Sequence, residues 1–317
     1  MERNRTIDFM KFILSIGVIA IHAQVFFFVS PVLYKTITMG LLRIGVPFFF
    51  VVSGYFYYQR IMQGKETKSY IMKLIKIFLT FEAIEIIFLL VPMSSSLQPN
   101  AMIGYLWTAL SVGLGGAYWF LISLILSLIF LTLFWKKKKI YPLLIIGLLL
   151  YLFVFTIDSY GGFFKGTEIQ LLASLHTSLW KWPQAGLCSS LFYLSLGALI
   201  YEKKPKIPYL NIALILSLIG LMLEAYFLQS HGAMDGNCYV MLIISVPLLV
   251  MWCLNHPQLS FDTSRLGKMS LYIYMVHPIV LSLIRWLFPI PYEFLFIFAA
   301  IISVAIAYRI TSKNYYA

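Results

Sequence analysis

Apolar stretches recur along this chain at lengths that suit a lipid bilayer. A helix needs about 20 predominantly apolar residues to cross the hydrocarbon core. Ten segments meet or approach that length: 7–29, 37–57, 71–92, 117–135, 140–157, 186–201, 208–228, 238–254, 269–288 and 292–310. Because no water reaches the bilayer core, each must satisfy its backbone internally, as a helix. The pattern predicts an all-α polytopic transmembrane bundle of about ten helices. It forms a single membrane domain over 1–317, without a soluble appendage, a Pro- or Ser-rich linker or an internal repeat of the solenoid kind. Residues 7–29 are too long for a removable signal and lack a small-residue cleavage site, so they read as the first span.

The polar segments between these stretches orient the bundle. With both termini cytoplasmic, eighteen of the 24 Lys and Arg residues fall inside: Arg3, Arg5 and the clusters in 60–76, 136–139, 203–206, 265–268 and 309–313. Lys35, Lys165, Lys181 and Arg285 fall outside, and Lys11 and Arg43 stay within spans. That is the positive-inside distribution. Composition agrees, with 61% hydrophobic residues, 11% charged and a mean hydropathy of +0.87. The net charge of +12 belongs to short loops facing anionic headgroups. No basic domain stands apart from the spans, so the bilayer and not nucleic acid is the expected partner. Cys188, Cys238 and Cys253 are too few and too scattered for a disulfide framework, and no metal site is indicated.

The two longest loops, 93–116 and 158–185, both lie outside. The first has a half-apolar middle that either dips into the interface or forms an eleventh, short segment. The second holds Asp158, Glu168, His176, Trp180 and Trp182. Aromatic and polar groups together suit carbohydrate contact, but Trp at this level more often anchors a protein at the interface. The anchor reading is preferred.

Ionisable groups within a bilayer are costly and mark functional sites by default. Asp8, Lys11, Ser15 and His22 share one stripe of the first helix. From Lys11 to His22, eleven residues turn about 1100°, within about 20° of three full turns, and rise about 16 Å. That face is expected to line a cavity, with Lys11 near the cytoplasmic surface and His22 deeper. Arg43, near the outer end of the second helix, keeps its proton and needs a carboxylate, carbonyls or an anion. Pro47 frees a carbonyl for it, and Ser53 with Gly54 marks close packing. Glu82 and Glu85 in the third helix and Glu224 in the seventh are each expected to meet a cation such as Lys11 or Arg43. Tyr274, His277 and Pro278 read equally well as functional groups or as a kinked, packed helix. Trp119 is a belt residue or a cavity wall. No phosphate-binding Gly-rich loop, HExxH or nucleophile elbow is present. Any catalysis must therefore rest on a polar membrane cavity with His as acid or base.

The helix carrying Asp8, Lys11 and His22 resembles that of the acyltransferase-3 family of integral membrane acyltransferases. RIGVPFFFVVSGYF, AYWFL, FYLSLGALIYEKK and SLYIYMVHP resemble the family too, in its order, from residue 5 to about 278. The resemblance implies transfer of an acyl group, usually acetyl, from cytoplasmic acyl-CoA to a hydroxyl of an extracytoplasmic or lipid-linked glycan. The setting it implies is a bacterial plasma membrane. By position His22 is the base, Lys11 with Asp8 marks the acetyl-CoA side, and Arg43 stands near the reacting groups. Family members often have Arg in place of Lys11, and more than one Arg around the second helix. Many also carry a soluble hydrolase-like domain after the helices. A branch of the same fold forms the membrane half of vancomycin-resistance serine racemases, where a role in serine uptake is ascribed to it. The stretch LEAYFLQSHGAMDGNCYVMLIISVPL is similar to that branch. A permease or sensor for serine or another small molecule is therefore the second expectation.

Overall fold

The structure, a computed structural model, describes residues 3–93, 102–113, 116–135, 139–182, 184–233 and 235–313. Among them every regular element is helical. Helices of ten residues or more are α1 (Arg5–His22), α2 (Gly45–Met62), α3 (Lys68–Met93), α4 (Met102–Ser111), α5 (Trp119–Trp135), α6 (Ile140–Phe155), α7 (Glu168–Trp180), α8 (Ser190–Lys203), α9 (Leu210–Ser230), α10 (Val240–Asn255), α11 (Ser264–Leu287) and α12 (Tyr292–Lys313). Four stretches among the described residues are long and apolar enough to cross a membrane: Pro31–Met62, Leu210–Ser230, Ser264–Leu287 and Tyr292–Ser312. Three shorter apolar helices accompany them: α5, α6 and α10. The described residues thus form an all-helical assembly whose longer helices have the length and composition of membrane spans.

The chain divides into two compact units. The first comprises Met1–Phe49, Lys206–His231 and Tyr239–Ala317; the second comprises Phe50–Pro205 and Gly232–Cys238. In the first unit α11 packs on both α1 and α12, and α9 packs on α10. The start of α1 is stitched to the segment between α10 and α11. Asn4 caps α1 by accepting from the Ile7 amide (2.8 Å) and donates to the Cys253 carbonyl (3.0 Å). The Arg5 amide and guanidinium reach the Pro257 and Leu259 carbonyls (2.8 and 2.9 Å), and Thr6 donates to the His256 carbonyl.

Two predicted boundaries are corrected. The first helix, expected over 7–29, ends at His22. Residues 23–29 carry no Gly or Pro to stop it; the stop is tertiary. The His22 carbonyl accepts from Arg285 (2.8 Å) and the Val25 carbonyl from Thr38 (2.6 Å), partners more than four residues away. Gln24 and Phe26 then take positive φ of 56° and 69°, which an α-helix cannot continue through. The second helix, expected over 37–57, becomes a π turn (Tyr34–Thr38), a 3-10 turn (Leu41–Ile44) and then α2. Gly40 separates the two turns, and a Cβ there would collide with the Thr36 carbonyl and lie 2.8 Å from Ala225 Cβ. Within the outer loops expected from sequence, α4 and α7 are additional helices. Residues 94–101 and 114–115 of the first loop, and Lys136, Lys137 and Lys138 of a basic cluster, lie outside the described residues.

In the second unit, the part of α2 from residue 50 onward meets α8 along a seam of small residues. A Cβ on Gly54 would strike the Leu194 carbonyl, and one on Gly197 would strike the Val51 carbonyl and come within 2.7 Å of the Tyr55 amide nitrogen. Small residues let helix backbones approach in this way where lipid supplies no hydrophobic drive. Gly54→Ala and Gly197→Ala are each expected to destabilise the chain by about 1–3 kcal/mol, the usual cost of overpacking. Thermal melting in detergent measures this. Gly104→Ala, where a Cβ meets nothing among the described residues within 4 Å, should melt like the unaltered protein.

Candidate active site

The stripe on α1 starts at its N-terminal turn. Asp8 is buried there and accepts from Arg3 Nε. It lies so close to α11 that a Cβ on Gly267 would overlap its carboxylate. Arg3 also donates to the Ser264 carbonyl (2.6 Å). Asp262, just before α11, accepts from the amide and hydroxyl of Ser264 (2.8 and 2.9 Å), which hold its carboxyl below the usual carboxylate range. Lys11 follows Asp8 by three residues and is half-buried. Ser15 is fully buried and donates to the carbonyl of Phe12 in its own helix (2.7 Å). His22, the last residue of α1, is exposed.

Against His22 stands a structure prepared by sequence on α11. Pro278 has no N–H and so leaves the carbonyl four residues earlier, that of Tyr274, without its helical donor. His277 supplies the replacement: its Nδ1 lies 2.6 Å from that carbonyl oxygen. A carbonyl only accepts, so neutral His277 carries its proton on Nδ1 and presents a lone pair at Nε2. The ring is fully buried, and among the described residues Nε2 has no hydrogen-bond partner. It packs on Tyr274 (centroids 5.5 Å apart) and on His22 (5.1 Å, planes inclined at 43°). The same helix fixes His22 through the Arg285 bond to its carbonyl. His22, Tyr274, His277 and Arg285 thus form one constellation at the end of α1.

The other residues singled out in the sequence have surroundings of their own. Arg43, in the 3-10 turn before α2, is half-buried, with Nη2 3.2 Å from Met39 Sδ. Pro47 sits in the first turn of α2, where helices tolerate proline best. Glu224, expected to meet a cation, meets the positive end of a helix. Its two carboxylate oxygens accept from the Val240 and Met241 amides, 2.8 Å each, at the start of α10. Ser53, Glu82, Glu85 and Trp119 belong to the second unit. Ser53 is half-buried, and the two glutamates are buried on α3. Trp119 is buried at the start of α5, with its ring 6.4 Å from that of Phe50.

Within the second unit Asp158 is an organiser. Fully buried, it accepts from the amides of Asp235 (3.3 Å), Asn237 (2.6 Å) and Cys238 (2.8 Å) and from the Ser159 hydroxyl (3.2 Å). Trp180 and Trp182 pack on positive-φ glycines, Gly186 and Gly116. A cavity of about 220 Å³ is lined by Tyr57, Gln59, Arg60, Gln63, Lys65 and Tyr70, a basic and aromatic surface where α2 gives way to α3.

Sequence reasoning missed Arg285, Arg3 and Gly267. Arg285 was legible in principle, since it follows His277 by eight residues and so shares its helical stripe. Gly267 carries no signal without the fold.

The family model described as an acyltransferase domain matches residues 4–311. An amino-acid racemase of Enterococcus faecalis is 24% identical over 296 residues, covering 90% of this chain and 42% of that protein. A serine/alanine racemase of Enterococcus gallinarum is 26% identical over 304 residues, covering 88% and 41%. The chain therefore spans about two-fifths of the length of these curated relatives. No solved structure matches it significantly.

Glu224→Ala is expected to destabilise the chain by about 1–3 kcal/mol, because two helix amides lose their acceptors. Glu224→Gln, which keeps one oxygen, should lose less. Unfolding in detergent tests the order; an Ala variant as stable as the parent would mean those amides are met otherwise.

Proposed function

The chain belongs to the acyltransferase-3 family, and we propose that it moves an acyl group, acetyl in the first instance, from cytoplasmic acyl-CoA to a hydroxyl of an extracytoplasmic or lipid-linked glycan. The observation that carries this reading is the family match over 4–311 joined to the stripe on α1. An exposed imidazole at one end, His22, is separated by about 16 Å of helix from the cation Lys11 at the other. That length suits an extended thioester arm. Lys11 meets the donor's anionic end by charge-assisted contact. His22 takes the proton of the acceptor hydroxyl as it attacks the thioester carbonyl, a contribution of about 10²–10⁴-fold. Arg43 steadies the oxyanion. The loop charges favour about ten spans with both termini cytoplasmic, in the plasma membrane of a bacterium.

The relatives named as amino-acid and serine/alanine racemases support a second reading, a permease or sensor for a small amino acid such as serine. Purified protein given radiolabelled acetyl-CoA and a membrane glycolipid extract separates the two. Labelled glycolipid is expected for the transferase. Serine uptake by proteoliposomes without acetyl-CoA consumption would instead establish the permease.

Cysteines introduced at Lys204 and Lys165 are expected to react with impermeant thiol reagents from the cytoplasmic and outer sides respectively. The reverse pattern would overturn the orientation and the donor side with it. His22→Ala should abolish transfer with little change in melting temperature. Lys11→Arg should retain activity. Lys11→Gln should raise the KM for acetyl-CoA about tenfold or more, as loss of a contact worth roughly 1.5–3 kcal/mol requires, and leave the glycan KM nearly unchanged. Equal effects on both substrates would remove Lys11 from the donor site.

A further inference from the structure

We propose that His22 and His277 form a two-histidine unit in which the buried His277 is the positioning residue for His22; this rests on the acyl-transfer reading above. Three observations meet at this point. The Nδ1 of His277 is committed to the Tyr274 carbonyl at 2.6 Å, which fixes the tautomer and turns the ring into an acceptor. Its Nε2 is buried and has no hydrogen-bond partner among the described residues, a costly state in an apolar interior. The ring beside it is that of His22, with centroids 5.1 Å apart and planes inclined at 43°.

The reaction supplies the missing proton. When the acceptor hydroxyl gives its proton to one nitrogen of His22, the oxygen bonds to the thioester carbon. The C–S bond then breaks, and the departing thiolate takes that proton back. Between these events His22 carries a proton on both nitrogens, and Nε2 of His277 receives the second N–H. A modest turn of the exposed His22 ring from its 43° tilt completes the bond; catalytic hydrogen bonds commonly tighten only in the reacting complex. His277 thereby orients the base and stabilises its imidazolium, the part a carboxylate plays in a serine-hydrolase triad.

Two substitutions at His277 separate this role from simple packing. His277→Asn keeps a donor for the Tyr274 carbonyl and removes the acceptor at the Nε2 position. His277→Gln places an amide oxygen near that position and weakens the Tyr274 contact. In the full-length, detergent-purified protein, His277→Asn is expected to lower kcat about 10²-fold, the lower end of what an oriented base supplies, with both KM values unchanged. His277→Gln should stay within about tenfold of the parent. Carbethoxylation of exposed His22 by diethyl pyrocarbonate, followed by mass spectrometry, should rank the proteins in the same order. This second readout needs no substrate, so a protein inactive toward every glycan would refute the transferase reading while still testing the pair. An Asn variant equal or superior to Gln, in kcat or in His22 reactivity, would show that His277 only ties down its own helix and would overturn the proposal.

Discussion

A backbone carbonyl released inside an apolar environment has to find a donor; two such carbonyls, with a third at the exposed end of α1, shape this protein. Pro278 releases the carbonyl of Tyr274, which is met by His277. The end of α1 exposes those of His22 and Val25, which are met by Arg285 and Thr38. Where water is excluded an unmet carbonyl is expensive, so His277 and Thr38 are held in place by necessity, while Arg285 ties the exposed end of α1 to α11. The candidate site is assembled as a by-product: the donors that repair two helices bring two histidines and an arginine together.

This origin explains why the fold was more legible than the site. Runs such as 210–230 and 292–313 are apolar enough to declare themselves, because lipid demands it of the residues locally. The end of α1 is different. Residues 23–29 contain no Gly or Pro, and the groups that stop the helix lie 13 and 263 residues from the carbonyls they bind. Likewise α7 is short and mixed in polarity, so no period marks it as more than loop.

Of the site, the stripe Asp8, Lys11, Ser15 and His22 follows from helical arithmetic alone. Its partners do not. Gly267 matters because Asp8 occupies the place of its missing side chain, and Glu224 because a helix begins beside it. Neither fact has a sequence signature. The succession of Tyr274, His277 and Pro278 was visible as a pattern, but its physical reason, a freed carbonyl and the donor that repairs it, emerges only from the distances.

The two functional readings share this architecture and differ in what enters it. A transferase needs an imidazole open to substrate and a cation at donor length from it; a permease needs neither. In the transferase reading proposed above, the face of α1 running from Lys11 to His22 holds the acyl-CoA donor. Photo-crosslinking is the most direct test, using an acyl-CoA analogue with its reactive group at the acyl end and peptide mapping by mass spectrometry. Labels within the last turns of α1 and on α11 around His277, suppressed by excess acetyl-CoA, are the predicted result. Saturable labelling that avoids both helices would contradict the account.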